Sequence, residues 1–133
     1  MQVDGKCHCG SVGYVAEIDP KRSGLCHCRD FQMFSNSAFR FFVVATRQSF
    51  RLLHGELQRY VKTGGSGTPR QHYFCPVCAT RIYTGGEGEP TINLSVACLR
   101  QHADLRPNMQ IWTRSSCAWL ADLGDIPAFE THP

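Results

Sequence analysis

Six of the eight cysteines in this 133-residue chain fall into three close pairs: Cys7-His8-Cys9, Cys26-His27-Cys28 and Cys75-Pro76-Val77-Cys78. Thiols clustered in this way in a reducing compartment point to metal or catalysis rather than to disulfides. The last pair is a C-x-x-C at the end of a strand-like stretch. A tight turn there lets both sulfurs face one ion at the Zn–S distance of about 2.3 Å. A C-x-C pair is less common in zinc sites but can also set both sulfurs on one side of a loop. Structural zinc takes four ligands, so two pairs complete one tetrahedron and the third is left over. Spacing alone does not decide which two pairs share the ion. A redox dithiol would need a βαβ context and a following helix, whereas strand-like sequence flanks Cys75 and Cys78 on both sides.

The remaining thiols and imidazoles are read more plainly. Cys98, within Ile92 to Leu99, and Cys117, within Ser115 to Trp119, have no ligand partner nearby and are assigned to packing. His8 and His27 sit between paired cysteines. Their side chains either point away from an ion held by the neighbours or serve beside it as ligand or proton carrier. His54, His72, His102 and His132 have no motif around them.

Alternating, β-branched and aromatic segments recur between Gly-, Pro- and Ser-rich breaks. They cover Ser11–Ile18, Ala38–Ala45, Ser49–Leu53, Leu57–Lys62, Gln71–Phe74, Thr80–Thr84, Thr91–Ala97 and Met109–Thr113. Many short strands at this spacing predict a mainly β domain. Thr63–Pro69 and Gly85–Pro90 are loops by composition. Leu99–Leu105 and Cys117–Leu123 are each a short helix or turn. A chain of this length is expected to form one domain, residues 1–133, around one core.

Composition closes several alternatives. Hydrophobic residues at 42% and charged residues at 19% exclude a disordered chain. The longest apolar run, Phe41 to Ala45, is far short of the roughly 20 residues that cross a bilayer. Residues Met1 to Lys6 hold no apolar h-region, so no signal peptide and a cytoplasmic location are expected. Four thiolates around one Zn²⁺ carry a net charge of −2, which would bring the formal +3 of the chain to about +1. The basic residues are scattered rather than gathered in a stripe, which argues against nucleic acid as a partner.

The ordered set Lys6-Cys7-His8-Cys9-Gly10-Ser11-Val12, Cys26-His27-Cys28-Arg29-Asp30, Ser37-Ala38-Phe39 and Phe74-Cys75-Pro76-Val77-Cys78 resembles the glutathione-dependent formaldehyde-activating (GFA) enzyme family. Pro107, Ile111-Trp112, Trp119 and Asp125 to Phe129 continue the likeness toward the C-terminus. The resemblance implies an Mss4-like fold of twisted antiparallel sheets clasped by zinc. It implies that Cys7, Cys9, Cys75 and Cys78 hold a structural zinc, whose binding energy adds directly to folding. It further implies a second, catalytic zinc on a C-x-C-x-x-C motif, here Cys26, Cys28 and position 31. Position 31 is Phe31, so one thiolate is missing. Gln32-Met33-Phe34 and Ala79 also depart from the family pattern, which has Gly after the second structural pair.

Two functions follow from the resemblance. One is a carbon–sulfur lyase acting on the adduct of glutathione, or another small thiol, with formaldehyde or a small aldehyde. In that case Cys26 and Cys28 hold a labile second zinc or the substrate, and Asp30 or His27 carries protons. The alternative is a non-catalytic, zinc-stabilised ligand-binding domain, in which Phe31, Met33 and Phe34 wall the place of the lost metal.

Overall fold

The molecule is described here by a computed structural model that covers residues 1–63 and 67–133. The central part of the Thr63–Pro69 loop lies outside the described residues. Strand β1 (Gln2–Lys6) and the long strand β2 (Gly13–Cys26) pair antiparallel around the first cysteine pair. A short helix α1 (Arg29–Ser35) follows, then strands β3 (Arg40–Thr46), β4 (Arg51–His54), β5 (Gln58–Lys62), β6 (Arg70–Phe74), β7 (Arg81–Gly86), β8 (Thr91–Ser95) and β9 (Met109–Ile111). The strands run in the order β1-β2-β3-β8-β7-β6-β5, with β4 and β9 also on β2. Every pairing is antiparallel except that of β9 with β2. The mainly β expectation is met.

Three elements differ from the sequence expectation, the first being β1, which lies outside the expected strand segments. β2 runs well past Ile18, because a shift in register between Asp19 and Ser23 accommodates the strand-breaking Pro20. Proline lacks the ladder N–H and is tolerated at such a bulge. The bulge is pinned by the buried Ser23, whose hydroxyl donates to the Arg106 carbonyl at 2.7 Å. The bend lets one strand serve two neighbourhoods, pairing with β1 and β4 in its first half and with β3 and β9 in its second. Helix α1 has only two turns and no strong apolar period. It starts where Cys28 Sγ accepts the Phe31 N–H, and it ends at Asn36 in the left-handed region, whose N–H donates to the Gln32 carbonyl.

β3 shows how the layers form. Val43 and Ala45 face the main core with Val3, Tyr14, Ile82, Ile92, Leu94 and Leu99. Phe42 and Val44 face the other way and join Cys26, Cys28 and Phe31 in a smaller cluster beside α1. Side chains alternate across a strand, so a strand apolar at every position must be covered on both faces. Cys7 and Cys75 belong to the main core, so the first cysteine cluster is built into it. Among the described residues no helix is long and apolar enough to cross a membrane.

Leu94 is fully buried at the centre of that core. Leu94→Ala should lower the unfolding free energy by about 2–5 kcal/mol, measured by urea denaturation of the zinc-loaded protein.

Candidate metal centre and the second cysteine pair

Two tight turns bring the first and last cysteine pairs together. After β1, the Cys7 N–H donates to the Val12 carbonyl and the Gly10 N–H to the Cys7 carbonyl, both at 3.1 Å. Gly55 holds this turn from outside, at φ 84°, where a Cβ would lie 2.1 Å from the Ser11 carbonyl oxygen. Between β6 and β7, the Cys75 N–H donates to the Thr80 carbonyl at 3.0 Å and the Ala79 N–H to the Cys75 carbonyl at 2.9 Å. The sulfurs of Cys7, Cys9, Cys75 and Cys78 all lie within 4.8 Å of one another. Cys7 and Cys9 Sγ are 3.6 Å apart, and Cys9 and Cys75 Sγ are 3.8 Å apart. A regular tetrahedron with Zn–S of about 2.3 Å has edges of about 3.8 Å, so these four residues fit one zinc ion. The donor set is all sulfur, with no carboxylate and no open position, which is the chemistry of a structural zinc.

The surroundings favour thiolates at Cys7 and Cys78, whereas Cys9, although the Ser11 hydroxyl acts to lower it, is held above the ordinary thiol value by loss of solvent and by the thiols of Cys7 and Cys78. Thr80 Oγ1 lies 3.1 Å from Cys78 Sγ, and its hydrogen bond is the main cause that brings this thiol down to about 5. Burial acts to raise Cys7, yet the Val12 N–H, at 3.3 Å from its Sγ, and the Ser11 hydroxyl leave it below the ordinary thiol value. Ser11 Oγ also lies 3.0 Å from Cys9 Sγ and 3.2 Å from Cys75 Sγ. Thr80 accepts the His8 N–H at 3.1 Å, tying the two turns together, while the His8 side chain is exposed. Ser11 and Thr80 are functional neighbours that the sequence analysis passed over. Their position two residues after a paired cysteine was the signal available.

Ala79 matters more than its sequence context suggests. It stands at φ 62°, the left-handed region that a Cβ disfavours by about 1–2 kcal/mol. The turn between the two sulfurs imposes that angle, and it explains why glycine suits the position. Ala79→Gly should therefore raise stability, by about 0.5–1 kcal/mol in urea denaturation once the greater freedom of the unfolded chain is counted.

The second pair lies elsewhere, at the junction of β2 and α1. Cys26 is 2% exposed and Cys28 is partly exposed. Burial, reinforced by Cys28 beside it, pushes the Cys26 thiol up to about 11. Cys28 caps the helix through its sulfur. His27, between them, is buried and turned to Gln110, with Nε2 2.8 Å from its Oε1 and the ring edge-on to Phe39. Asp30, in the first turn of α1, forms an ion pair with Lys62 of β5. Among the described residues, no three ligand groups gather around Cys26 and Cys28 as they do in the first cluster. Phe31, at the third-ligand position of the motif, packs with Cys26, Phe42 and Val44. Phe34 is half-buried against His72, with ring centroids 4.4 Å apart. Met33 is 67% exposed, so the expected apolar wall is made by Phe31 and Phe34 without it.

A mainly antiparallel sheet whose turns are drawn together by a four-cysteine cluster that could hold a metal defines the class of β protein, with a separate thiol pair at the end of its longest strand. Within that class, the chain belongs to the glutathione-dependent formaldehyde-activating enzyme family, whose sequence profile matches residues 2–115. Its fold is similar to that in the crystal structure of a Rhodobacter sphaeroides protein, with a TM-score of 0.59 and 24% identity. That alignment covers 73% of this chain and 87% of the other. No match was found among curated proteins.

Removing Cys75 from the clasp leaves three sulfurs, one of them in the core, without a complete shell. Cys75→Ser should lose zinc on dialysis and unfold at markedly lower urea than the parent, whereas Cys26→Ser should keep the metal and fold. Metal analysis beside denaturation curves checks both outcomes.

Proposed function

We propose that this protein is a carbon–sulfur lyase of the formaldehyde-activating type, working in the cytoplasm on the adduct of glutathione, or another small thiol, with formaldehyde or a small aldehyde. Family membership supports the thiol partner. The observation that carries the reading is the placement of Cys26 and Cys28 side by side where strand meets helix, one buried and one open to solvent. In the forward direction the thiol sulfur bonds to the aldehyde carbon, the C=O bond opens, and the proton released by the thiol ends on the new hydroxyl. A zinc ion at this pair would supply a lowered thiol pKa and so a larger thiolate fraction.

The chain's own residues have separable roles in this proposal. Cys28 faces the incoming thiol, while the high pKa of Cys26 keeps it protonated until a cation draws the proton off. Asp30 is the proton carrier, held in place by Lys62, which also feels the charge of Cys28. His27 is buried and fixed by Gln110, which suits it to orienting the strand end between the two thiols.

A second reading is favoured by the packing of Phe31. Its ring fills the place where the motif calls for a third sulfur, as expected of a zinc-stabilised domain that binds a thiol ligand without a second metal. The two readings part in one experiment. Zinc-loaded protein is mixed with glutathione and formaldehyde, and formation of S-hydroxymethylglutathione is followed by exchange NMR. The enzyme reading expects a rate above the uncatalysed one that Cys28→Ser abolishes, with a second zinc lost on dialysis. Glutathione that binds and shifts the Cys26 and Cys28 signals without any acceleration establishes the second reading. If glutathione does neither, both fail.

A further inference from the structure

Arg40 is 7% exposed, the only buried Lys or Arg among the described residues, and no carboxylate meets it. Its guanidinium donates to Thr84 Oγ1 at 2.8 Å, to the Asn93 carbonyl at 2.7 Å and to Ser95 Oγ at 3.4 Å. All three acceptors are neutral. Buried charges are as a rule paired with an opposite charge, because neutral oxygens only partly replace the water that is lost. Two further groups of the same region have no partner: Arg81 Nη1 and His72 Nδ1 are both buried and make no hydrogen bond. His72 itself is 3% exposed.

These groups line one cavity. It lies between α1 and strands β3, β6, β7 and β8, has a volume of about 40 Å³, and is walled by Phe31, Phe34, Arg40, His72, Arg81 and Thr84. No Asp or Glu is among its described lining residues. The aromatic rings cover the cations, with Arg40 Cζ 4.7 Å from the Phe31 centroid and Arg81 Cζ 4.3 Å from that of Phe34. A ring quadrupole attracts a cation but does not neutralise it, so two positive charges remain uncompensated inside an apolar wall. Burial first, then Arg81 and Arg40, hold His72 down to about 4, so the neutral imidazole contributes no third charge.

We propose that this cavity binds a small carboxylate anion, held by Arg40, Arg81 and His72. A guanidinium fork matches the two oxygens of a planar carboxylate, and Arg81, whose Nη1 is unpartnered, has its fork free. Arg40, with both Nη2 hydrogens used by the protein, keeps its Nε–H and one Nη1–H as single donors. The Thr84 and Ser95 hydroxyls accept from Arg40 and keep their own protons to donate. The phenylalanine walls suit a short apolar tail on the anion and disfavour a more heavily hydrated, multiply charged one. Cys26 is the register partner of Arg40 on β2, so the site lies toward the second cysteine pair. It stands independently of any reaction at that pair.

The test is a titration of the zinc-loaded full chain with sodium acetate, alongside sodium chloride at equal ionic strength. The His72 ring is followed by NMR and the melting temperature by thermal scanning. The expected result is a saturable His72 shift and a rise in Tm with acetate, neither reproduced by chloride. Arg81→Met should weaken acetate binding by about tenfold or more, the scale of one charge-assisted hydrogen bond. Arg100→Met, which breaks a remote surface pair with Asp4, should leave binding unchanged. Should Arg81→Met fail to fold, Arg81→Gln carries the same expectation. No saturable shift, an equal response to chloride, or undiminished binding in the Arg81 variant overturns the proposal.

Discussion

Four sulfurs drawn to one point hold two distant parts of this protein in register. Cys9 and Cys75 stand 66 residues apart in sequence and 3.8 Å apart in space. The turn that ends β1 and the turn that joins β6 to β7 meet there, at opposite ends of the strand order. Because Cys7 and Cys75 are also core residues, the ion they would bind sits where apolar packing converges. Closing so long a loop costs entropy that grows only slowly with length, so a metal clip across it is an efficient stabiliser. The hydroxyls of Ser11 and Thr80 and the N–H of Val12 supply donors that favour thiolates and so favour the ion. Ala79 accepts a strained backbone for the same end.

The long strand β2 connects this clasp to the second thiol pair. Its bulge at Asp19 to Ser23 turns the strand from one set of partners to another, so Cys26 emerges far from the first cluster and next to β3. β3, apolar on both faces, separates the main core from the smaller cluster under α1. Helix α1 then begins on the sulfur of Cys28, so the pair sits at the boundary between buried and exposed protein. The replacement of a ligand by Phe31 is absorbed by that smaller cluster. The ring packs on Cys26 on one side and under the Arg40 guanidinium on the other.

The same replacement shapes the charged cavity. Phe31 and Phe34 screen Arg40 and Arg81 from solvent, which strengthens any interaction those cations make and raises the cost of leaving them unpaired. Polar groups held without partners inside an otherwise satisfied sheet are uncommon, and here two of them surround a buried guanidinium.

The eight cysteines, their spacing and the strand-like alternation were enough to predict a mainly β protein with a four-sulfur cluster. Both features are local: a C-x-C or C-x-x-C needs only a tight turn, and a strand needs only period-two side chains. The bulged half of β2 and the short helix α1 were not legible, since Pro20 reads as a break and α1 lacks an apolar period. Which cysteine pairs meet was supplied by resemblance, because spacing leaves that choice open. The cavity was beyond reach of the sequence, where Arg40, His72 and Arg81 are three polar residues on three strands with no shared motif. Sheet order alone places them around one space. Sequence determined which residues can bind metal and which segments extend; tertiary structure decided which thiols meet and where charge is buried, because both depend on contacts between strands far apart along the chain.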